Sequence, residues 1–167
     1  IYVTRGILPF LRDEAELANV LGHEIAHVTA QHGANAYSQQ VLVGGGLQIG
    51  AIFANERERL VLEGLGLSFG LLFLKHGRAA ELEADRLGVG YAAGSGWDPS
   101  GMAGMLGTLG RLSEASGSRR GVPNFLSTHP LPEDRVAQVQ SAADAARSAG
   151  STRVNADEFC RRLHGGV

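Results

Sequence analysis

The sequence is poor in the residues that mark several common classes of protein. It contains one cysteine, Cys160, so an internal disulfide framework and a zinc site built from several cysteines are both excluded. Its 15 basic and 17 acidic side chains leave a formal net charge of −2. Such a balance provides no excess of positive charge to neutralise nucleic-acid phosphates. We therefore expect no nucleic acid among its partners.

The sequence also lacks a long uninterrupted apolar run. Its two most apolar stretches, 41–54 and 60–74, are rich in glycine, and neither reaches the roughly 18 apolar residues that a membrane-spanning helix needs. Stretches of this kind are typical of a pair of core or hairpin helices. The alternative is a mobile apolar cover over a cleft, or a surface that contacts a membrane.

The length and the first residues predict the domain organisation. With 167 residues and 44% apolar composition, the chain suits one globular domain over 1–167. Residues 1–4 lack the basic segment of a signal peptide and have the pattern of a short β segment, which a turn at Arg5 and Gly6 follows. We expect the chain to be a fragment that lacks N-terminal segments. The alternative is a fragment that lacks C-terminal segments as well.

Most of the sequence is predicted to be helical. Asp13 suits an N-cap and Glu16 completes a capping-box pattern, so we expect a first helix over about 14–32, ended by Gly33. Further helices are predicted over 78–93, 100–112, 133–149 and 156–163. A loop is predicted over 114–122 and a rigid extended turn over 128–132. The predicted fold class is mainly α with a small β element (α+β).

The first predicted helix contains the sequence His23-Glu24-Ile25-Ala26-His27, an HExxH motif. Residues four apart lie on one face of a helix, so His23 and His27 can bind the same metal ion. Glu24 then lies at the edge of that site, where a carboxylate can take a proton from water beside zinc. The motif predicts a zinc site, and the alternative is two surface histidines on an ordinary helix.

A catalytic zinc site needs a third protein ligand, and a second predicted helix offers one. In the segment Glu81-Leu82-Glu83-Ala84-Asp85, Glu81 and Asp85 share a helical face, whereas Glu83 points away from Glu81 by about 200°. We predict that Glu81 is the third ligand and that Asp85 accepts the free N–H of a ligating histidine. Taken alone, the acidic cluster would instead predict a solvent-exposed helix face.

Three motifs in order, HEIAHV, ELEAD and STHPLPEDR, resemble the M48 family of zinc metallopeptidases over about residues 1–150. The resemblance implies a zincin-like (gluzincin) peptidase domain with the HExxH helix at its active site. It implies one Zn²⁺ ion held by His23, His27 and Glu81, with Glu24 as the catalytic base and Asp85 behind the ligands.

The third motif implies two more active-site residues. In the family, a histidine before a proline is followed six residues later by an arginine, and here these are His129 and Arg135. By resemblance, His129 stabilises the oxyanion or instead occupies the open zinc position and holds the enzyme idle, and Arg135 anchors the loop through an acidic group. The residues alone also allow a turn histidine and a surface charge. His32, His76 and His164 are predicted to lie on the surface or beside the site, with His32 nearest.

The function that the resemblance implies is a zinc-dependent metalloendopeptidase that hydrolyses misfolded or unassembled proteins in envelope quality control. The short apolar stretches between the two metal motifs point to the soluble, envelope-facing branch, in the bacterial periplasm or at a membrane face. Expected partners are polypeptide substrates, bound as a strand along the edge at 1–4, and a membrane surface or envelope assembly machinery. The alternative is a chaperone-like assembly factor of the same fold with little or gated proteolysis.

Overall fold

A computed structural model of the protein describes residues 1, 3, 5–115, 129, 134–147 and 151–164, apart from the side chains of 67–76, 115 and 164. The described residues are mostly helical, as the sequence predicts. A short 3-10 helix, Leu8–Phe10, precedes six α-helices in this part of the chain, which are α1 (Glu14–Thr29), α2 (His32–Phe53), α3 (Glu56–Gly94), α4 (Gly101–Ala115), α5 (Arg135–Ala146) and α6 (Ala156–His164).

The small β element predicted at 1–4 is not observed. Its two described residues, Ile1 and Val3, do not lie in a strand. Within the described ranges, β structure is limited to one isolated parallel bridge between Trp97 and Arg153. The strand at 1–4, and with it the proposed edge for substrate, therefore stays a prediction.

The chain divides into two compact units, and the divisions fall within α1 and between residues 80 and 81 of α3. Unit 1 contains residues 1–26 and 81–167, and unit 2 contains residues 27–80. Because α1 is one continuous helix, His27 is carried on the same helix as His23.

The core of unit 1 is built around α4. Met102, Met105, Leu106 and Leu109 recur at helical spacing and are at most 1% exposed. They form one apolar cluster with Ala103 of the same helix and with buried residues of the other helices of this unit and of the segment before α1, which are Ile7, Leu11, Val20, Val89, Val139, Ala143 and Phe159. This shared core holds the unit 1 parts of α1 and α3, together with α5, against α4.

Helix α1 begins with the predicted cap, although one partner differs. The Oδ1 atom of Asp13 accepts a hydrogen bond from the backbone N–H of Glu16 at 2.8 Å. The Glu16 carboxylate accepts its backbone hydrogen bond from Arg12, at 2.7 Å, instead of from Asp13. Burial raises the pKa of Glu16, and the hydrogen bonds from Arg12 offset part of that rise.

Helix α1 ends at Thr29, short of the predicted end at residue 32. Gln31 adopts the left-handed backbone conformation, with φ 56° and ψ 30°, and its N–H donates to the carbonyl of Val28 at 3.1 Å. This turn stops α1 and allows α2 to begin at His32. Gly33 therefore lies inside a helix, and the predicted boundary was wrong.

Unit 2 contains a helical hairpin, as one reading of the apolar stretches predicts. Asn55 Oδ1 accepts from the N–H of Glu58 at 3.0 Å, and the N–H of Asn55 donates to Glu58 Oε2 at 2.8 Å. This reciprocal capping box starts α3 directly after α2 ends. A Cβ built on Gly50 of α2 would lie 3.4 Å from Leu62 Cδ2 of α3, so the two helices pack against each other there.

The core-helix reading of the first apolar stretch is wrong, because α2 contains no buried residue. Among the described side chains of the hairpin, the exposed large apolar ones are Tyr37, Val41, Leu42, Ile49, Ile52, Phe53, Leu60, Val61 and Leu65. Among the described residues, no helix combines the length and the apolar character that crossing a membrane requires.

The later helices agree with their predictions within a few residues. The helix predicted at 78–93 is the last part of the much longer α3, and the helices predicted at 100–112, 133–149 and 156–163 correspond to α4, α5 and α6. Residues 114 and 115 of the predicted loop belong to α4. The rest of that loop, and the predicted turn at 128–132 except His129, lie outside the described residues.

Candidate metal centre

Helix α1 carries the HExxH motif and supplies two imidazoles. His23 is fully buried, and His27, one helical turn later, is half-buried. Glu24 lies between them with 27% of its side chain exposed. The motif therefore combines a buried first histidine with a carboxylate that water can reach.

Helix α3 brings two buried carboxylates to His23. The Nδ1 atom of His23 lies 2.8 Å from Asp85 Oδ1, and the Nε2 atom of His23 lies 3.5 Å from Glu81 Oε2. Asp85 thus faces one ring nitrogen and leaves the other directed towards Glu81, an arrangement that fixes the tautomer and orientation of a metal-binding histidine. Glu83, which the helical period places on another face, is exposed.

The charges of these residues shift each other's pKa values. Burial would lower the pKa of His23, but hydrogen bonds with Asp85 and Glu81 outweigh it and raise that pKa. Burial would raise the pKa of Asp85, but hydrogen bonds from His23 and Arg135 outweigh it and hold that pKa below its usual value. Asp85 is therefore an ionised carboxylate at neutral pH in spite of its burial.

Arg135, the first residue of α5, contacts both carboxylates. Its side chain is fully buried. Its Nε donates to Asp85 Oδ2 at 2.8 Å and its Nη2 donates to Asp85 Oδ1 at 2.9 Å. The same Nη2 lies 3.0 Å from Glu81 Oε2. Arg135 is thus neither a surface charge nor only a loop anchor, because it links two buried carboxylates of α3, those of Glu81 and Asp85.

His129 lies between the residues of α1 and α3. Its Nδ1 is 2.9 Å from Glu81 Oε2 and 3.2 Å from His23 Nε2. Its Nε2 is 3.4 Å from Glu24 Oε1. His129 is therefore not an isolated turn residue, because it contacts two of the three predicted ligands, Glu81 and His23, and the predicted base Glu24.

Four residues form a group that can hold a metal ion. One ligand atom from each of His23, His27, Glu81 and His129 lies within 4.8 Å of all the others. Imidazole nitrogens and a carboxylate oxygen are ligands that zinc prefers, in sets of three or four. The donor set and the buried support from Asp85 therefore fit a zinc ion.

One contact of this region has little signal in the sequence. The Nδ1 atoms of His32 and His27 lie 3.0 Å apart, and the two rings meet edge-on with centroids at 4.9 Å. His32 belongs to α2, and the left-handed turn at Gln31 returns the chain so that this histidine reaches His27. The sequence places His32 nearest to the site among the remaining histidines, but its spacing does not predict the contact.

Comparison with known proteins identifies the family. The family model described as "Peptidase family M48" matches residues 1–143. The chain belongs to this family. The resemblance noted from the three motifs is thereby confirmed, and membership supports a zinc metalloprotease.

Three relatives illustrate the range of the similarity. The beta-barrel assembly-enhancing protease of Escherichia coli (strain K12) is 34% identical over 142 residues, covering 81% of this chain and 28% of the relative. The mitochondrial metalloendopeptidase OMA1 of Arabidopsis thaliana is 31% identical over 137 residues, covering 81% and 26%. The protease HtpX homolog of Salinibacter ruber is 27% identical over 173 residues, covering 88% and 61%.

The chain spans less than a third of the length of the first two of these relatives. No solved structure matches the chain.

The buried position of Arg135 leads to a stability prediction. We expect Arg135→Leu to lower the free energy of unfolding by about 3–5 kcal/mol, because the substitution removes the buried cation that contacts both Asp85 and Glu81. The loss should shrink as the pH falls, because hydrogen bonds from His23 and Arg135 hold the pKa of Asp85 below its usual value in the parent, whereas burial without Arg135 favours the protonated carboxyl. Denaturant unfolding at several pH values measures both effects.

The control is Arg161→Leu, which removes an ion pair to Glu158 from a side chain that is 74% exposed. Exposed pairs contribute at most about 1 kcal/mol. Equal losses for the two variants would contradict the role given to Arg135.

Proposed function

We propose that this chain is the catalytic domain of a zinc-dependent endopeptidase in which His23, His27 and Glu81 hold one Zn²⁺ ion. The observation that carries the proposal is a distance: one ligand atom from each of these three residues and one from His129 all lie within 4.8 Å of one another. A second support is that Asp85 lies 2.8 Å from Nδ1 of His23 and so leaves Nε2 for a metal ion.

In the proposed reaction, the bound metal and the base Glu24 have separate roles. Zinc, when bound, supplies Lewis acidity, which polarises a peptide carbonyl and lowers the pKa of water to about 7. Glu24 takes a proton from the water that attacks the carbonyl carbon and later donates it to the leaving amine. Its partial exposure beside the buried His23 supports this role, because substrate and water can reach its carboxylate.

His129 is proposed to hold the enzyme idle in the arrangement described here. A donor that only stabilised an oxyanion would face the substrate carbonyl. Instead, Nδ1 of His129 lies within hydrogen-bond distance of Glu81 and His23, which supports its reading as a fourth ligand. Withdrawal of this imidazole would open the position that substrate needs and would also free Glu24.

The names of the relatives support a proposed cellular setting. The Escherichia coli relative is named a beta-barrel assembly-enhancing protease, and the Arabidopsis thaliana relative a mitochondrial metalloendopeptidase. We place the chain in the bacterial periplasm or at a membrane face of the envelope. There it would hydrolyse misfolded or unassembled polypeptides and contact the machinery of envelope assembly.

One observation favours a second candidate, a chaperone-like assembly factor of the same fold. Helix α2 has 22 residues without an aspartate, glutamate, lysine or arginine, and Leu42 and Phe53 are 75% and 83% exposed. An exposed apolar surface of this kind suits contact with unfolded polypeptide. Such binding does not require the base Glu24, so the two functions respond differently to its removal.

We expect Glu24→Gln to retain zinc and to lose peptide hydrolysis, because glutamine cannot accept the proton. General-base catalysis contributes about 10²–10⁴-fold, so cleavage of a casein substrate should fall by at least two orders of magnitude. Metal analysis and suppression of aggregation of an unfolded client protein are measured alongside.

The matched control is Glu83→Gln, an exposed glutamate of the neighbouring ELEAD segment, which should cleave like the parent. Full cleavage by Glu24→Gln would contradict the proposed base. Loss of cleavage with unchanged suppression of aggregation would support a chaperone function in addition to the peptidase.

We expect His129→Ala to raise the rate of casein cleavage, because it removes the imidazole that fills the fourth position. An oxyanion donor would behave in the opposite way, since removal of one costs about 10²–10³-fold in kcat. The double variant His129→Ala/Glu24→Gln shows whether any added cleavage comes from this site. A hundredfold fall in the single variant would overturn the idle-state reading and favour oxyanion stabilisation.

A further inference from the structure

Helices α1 and α3 approach each other with their backbones in contact at Gly22 and Gly88. A Cβ built on Gly88 would lie 2.5 Å from the backbone N of His23 and 2.7 Å from its Cα. A Cβ built on Gly22 would lie 2.6 Å from the carbonyl oxygen of Gly88. Real Cβ atoms essentially never come closer than 3.0 Å to such atoms. Neither position can carry a side chain unless the two backbones move apart.

The contact lies beside the proposed metal residues on both helices. Gly22 directly precedes His23, and Gly88 follows Asp85 by three residues and Glu81 by seven, which places all three on one face of α3. At this contact between α1 and α3, His23 of α1 lies 2.8 Å from Asp85 and 3.5 Å from Glu81 of α3. The separation of the backbones therefore determines whether these side chains meet.

We infer that Gly22 and Gly88 are positioning residues for the metal centre, because their missing side chains set the α1–α3 separation that His23, Glu81 and Asp85 require. The inference rests on the proposed zinc function. A methyl group on Gly88 needs about 1 Å of extra room to reach an ordinary contact distance. Functional side chains must hold their geometry to about 0.5 Å, so such a shift removes Glu81 and Asp85 from the reach of His23.

Two other glycines separate this role from ordinary packing. A Cβ on Gly101 would lie 2.7 Å from the carbonyl oxygen of Ala15, so this glycine is also crowded against α1. The same Cβ would lie 2.8 Å from the side-chain Nδ2 of Asn19. Ala15 and Asn19 are eight and four residues before His23, about 12 Å and 6 Å along the helix. A Cβ on Gly90, two residues after Gly88 on α3, would meet open space, with none of the described neighbouring atoms within 4 Å. The chain thus offers crowding directly beside the metal residues, crowding one to two helical turns before them, and no crowding.

The experiment compares Gly88→Ala, Gly101→Ala and Gly90→Ala in the full chain. Zinc affinity is measured by competition with a chromophoric chelator, and thermal unfolding is measured on the metal-free proteins. We expect Gly88→Ala to weaken zinc binding by about 10–100-fold, as loss of the groups that orient metal ligands does. Gly101→Ala should lower the melting temperature and leave the zinc affinity of the folded protein unchanged, and Gly90→Ala should lower neither.

Parental zinc affinity in a folded Gly88→Ala protein would overturn the inference and leave the glycines as packing residues. If Gly88→Ala does not fold, Gly22→Ala takes its place in the comparison. Failure of both to fold would also overturn the inference, because the pair would then serve the core and not the spacing of the ligands.

The test distinguishes this inference from the proposed function. If the parent binds no zinc, the proposed function fails, and the inference about the two glycines is then tested on the metal-free proteins. The proton shared by His23 Nδ1 and Asp85 then serves as the probe, by nuclear magnetic resonance. Its downfield signal should be present in the parent and in Gly101→Ala and absent from Gly88→Ala, and its persistence in Gly88→Ala would overturn the inference.

Discussion

The buried guanidinium of Arg135 is the group on which the arrangement of the proposed metal centre depends. Two carboxylates, Glu81 and Asp85, lie on one face of α3 in a nearly water-free environment, where each would be costly to ionise alone. Arg135 lies within 3.0 Å of both and makes two hydrogen bonds to Asp85. With Asp85 kept ionised, its other contact fixes the ring of His23, whose second ring nitrogen faces Glu81. One positive charge of the protein thus lies against both carboxylates of α3 that face His23.

The residues concerned come from distant parts of the sequence, and the core of unit 1 holds them together. Val20 of α1, Val89 of α3 and Val139 of α5 pack into the same apolar cluster as the methionines and leucines of α4. On each of these helices, a polar residue of the site lies about one helical turn from the core valine: His23 on α1, Asp85 on α3 and Arg135 on α5. Burial of apolar surface therefore supplies the free energy that brings a histidine, two carboxylates and an arginine into contact.

The parts of the centre that follow from helical periodicity could be predicted from the sequence, and the parts that follow from loops could not. The period places Glu81 and Asp85 on one face and Glu83 on another, and the structure agrees. The sequence around Gln31 does not predict that this residue, which is not a glycine, adopts a left-handed conformation. That conformation ends α1 early and brings His32 to His27. The unbroken length of α3 was also missed, because its glycines lower helix propensity, whereas the capping box of Asn55 and Glu58 starts the helix well before the predicted segment 78–93. Whether His129 faces substrate or the ligands depends on tertiary contacts that no spacing encodes.

Elemental analysis of the purified chain is the decisive measurement for the proposed zinc site of His23, His27 and Glu81. We expect one zinc per chain for the parent and for Glu83→Ala, the exposed neighbour on the same helix. Folded Glu81→Ala should lose most of its zinc under the same dialysis, because only two α1 histidines and His129 remain as ligands. A folded parent that takes up no zinc when it is offered, or a Glu81→Ala variant that retains zinc as tightly as the parent, would contradict this site.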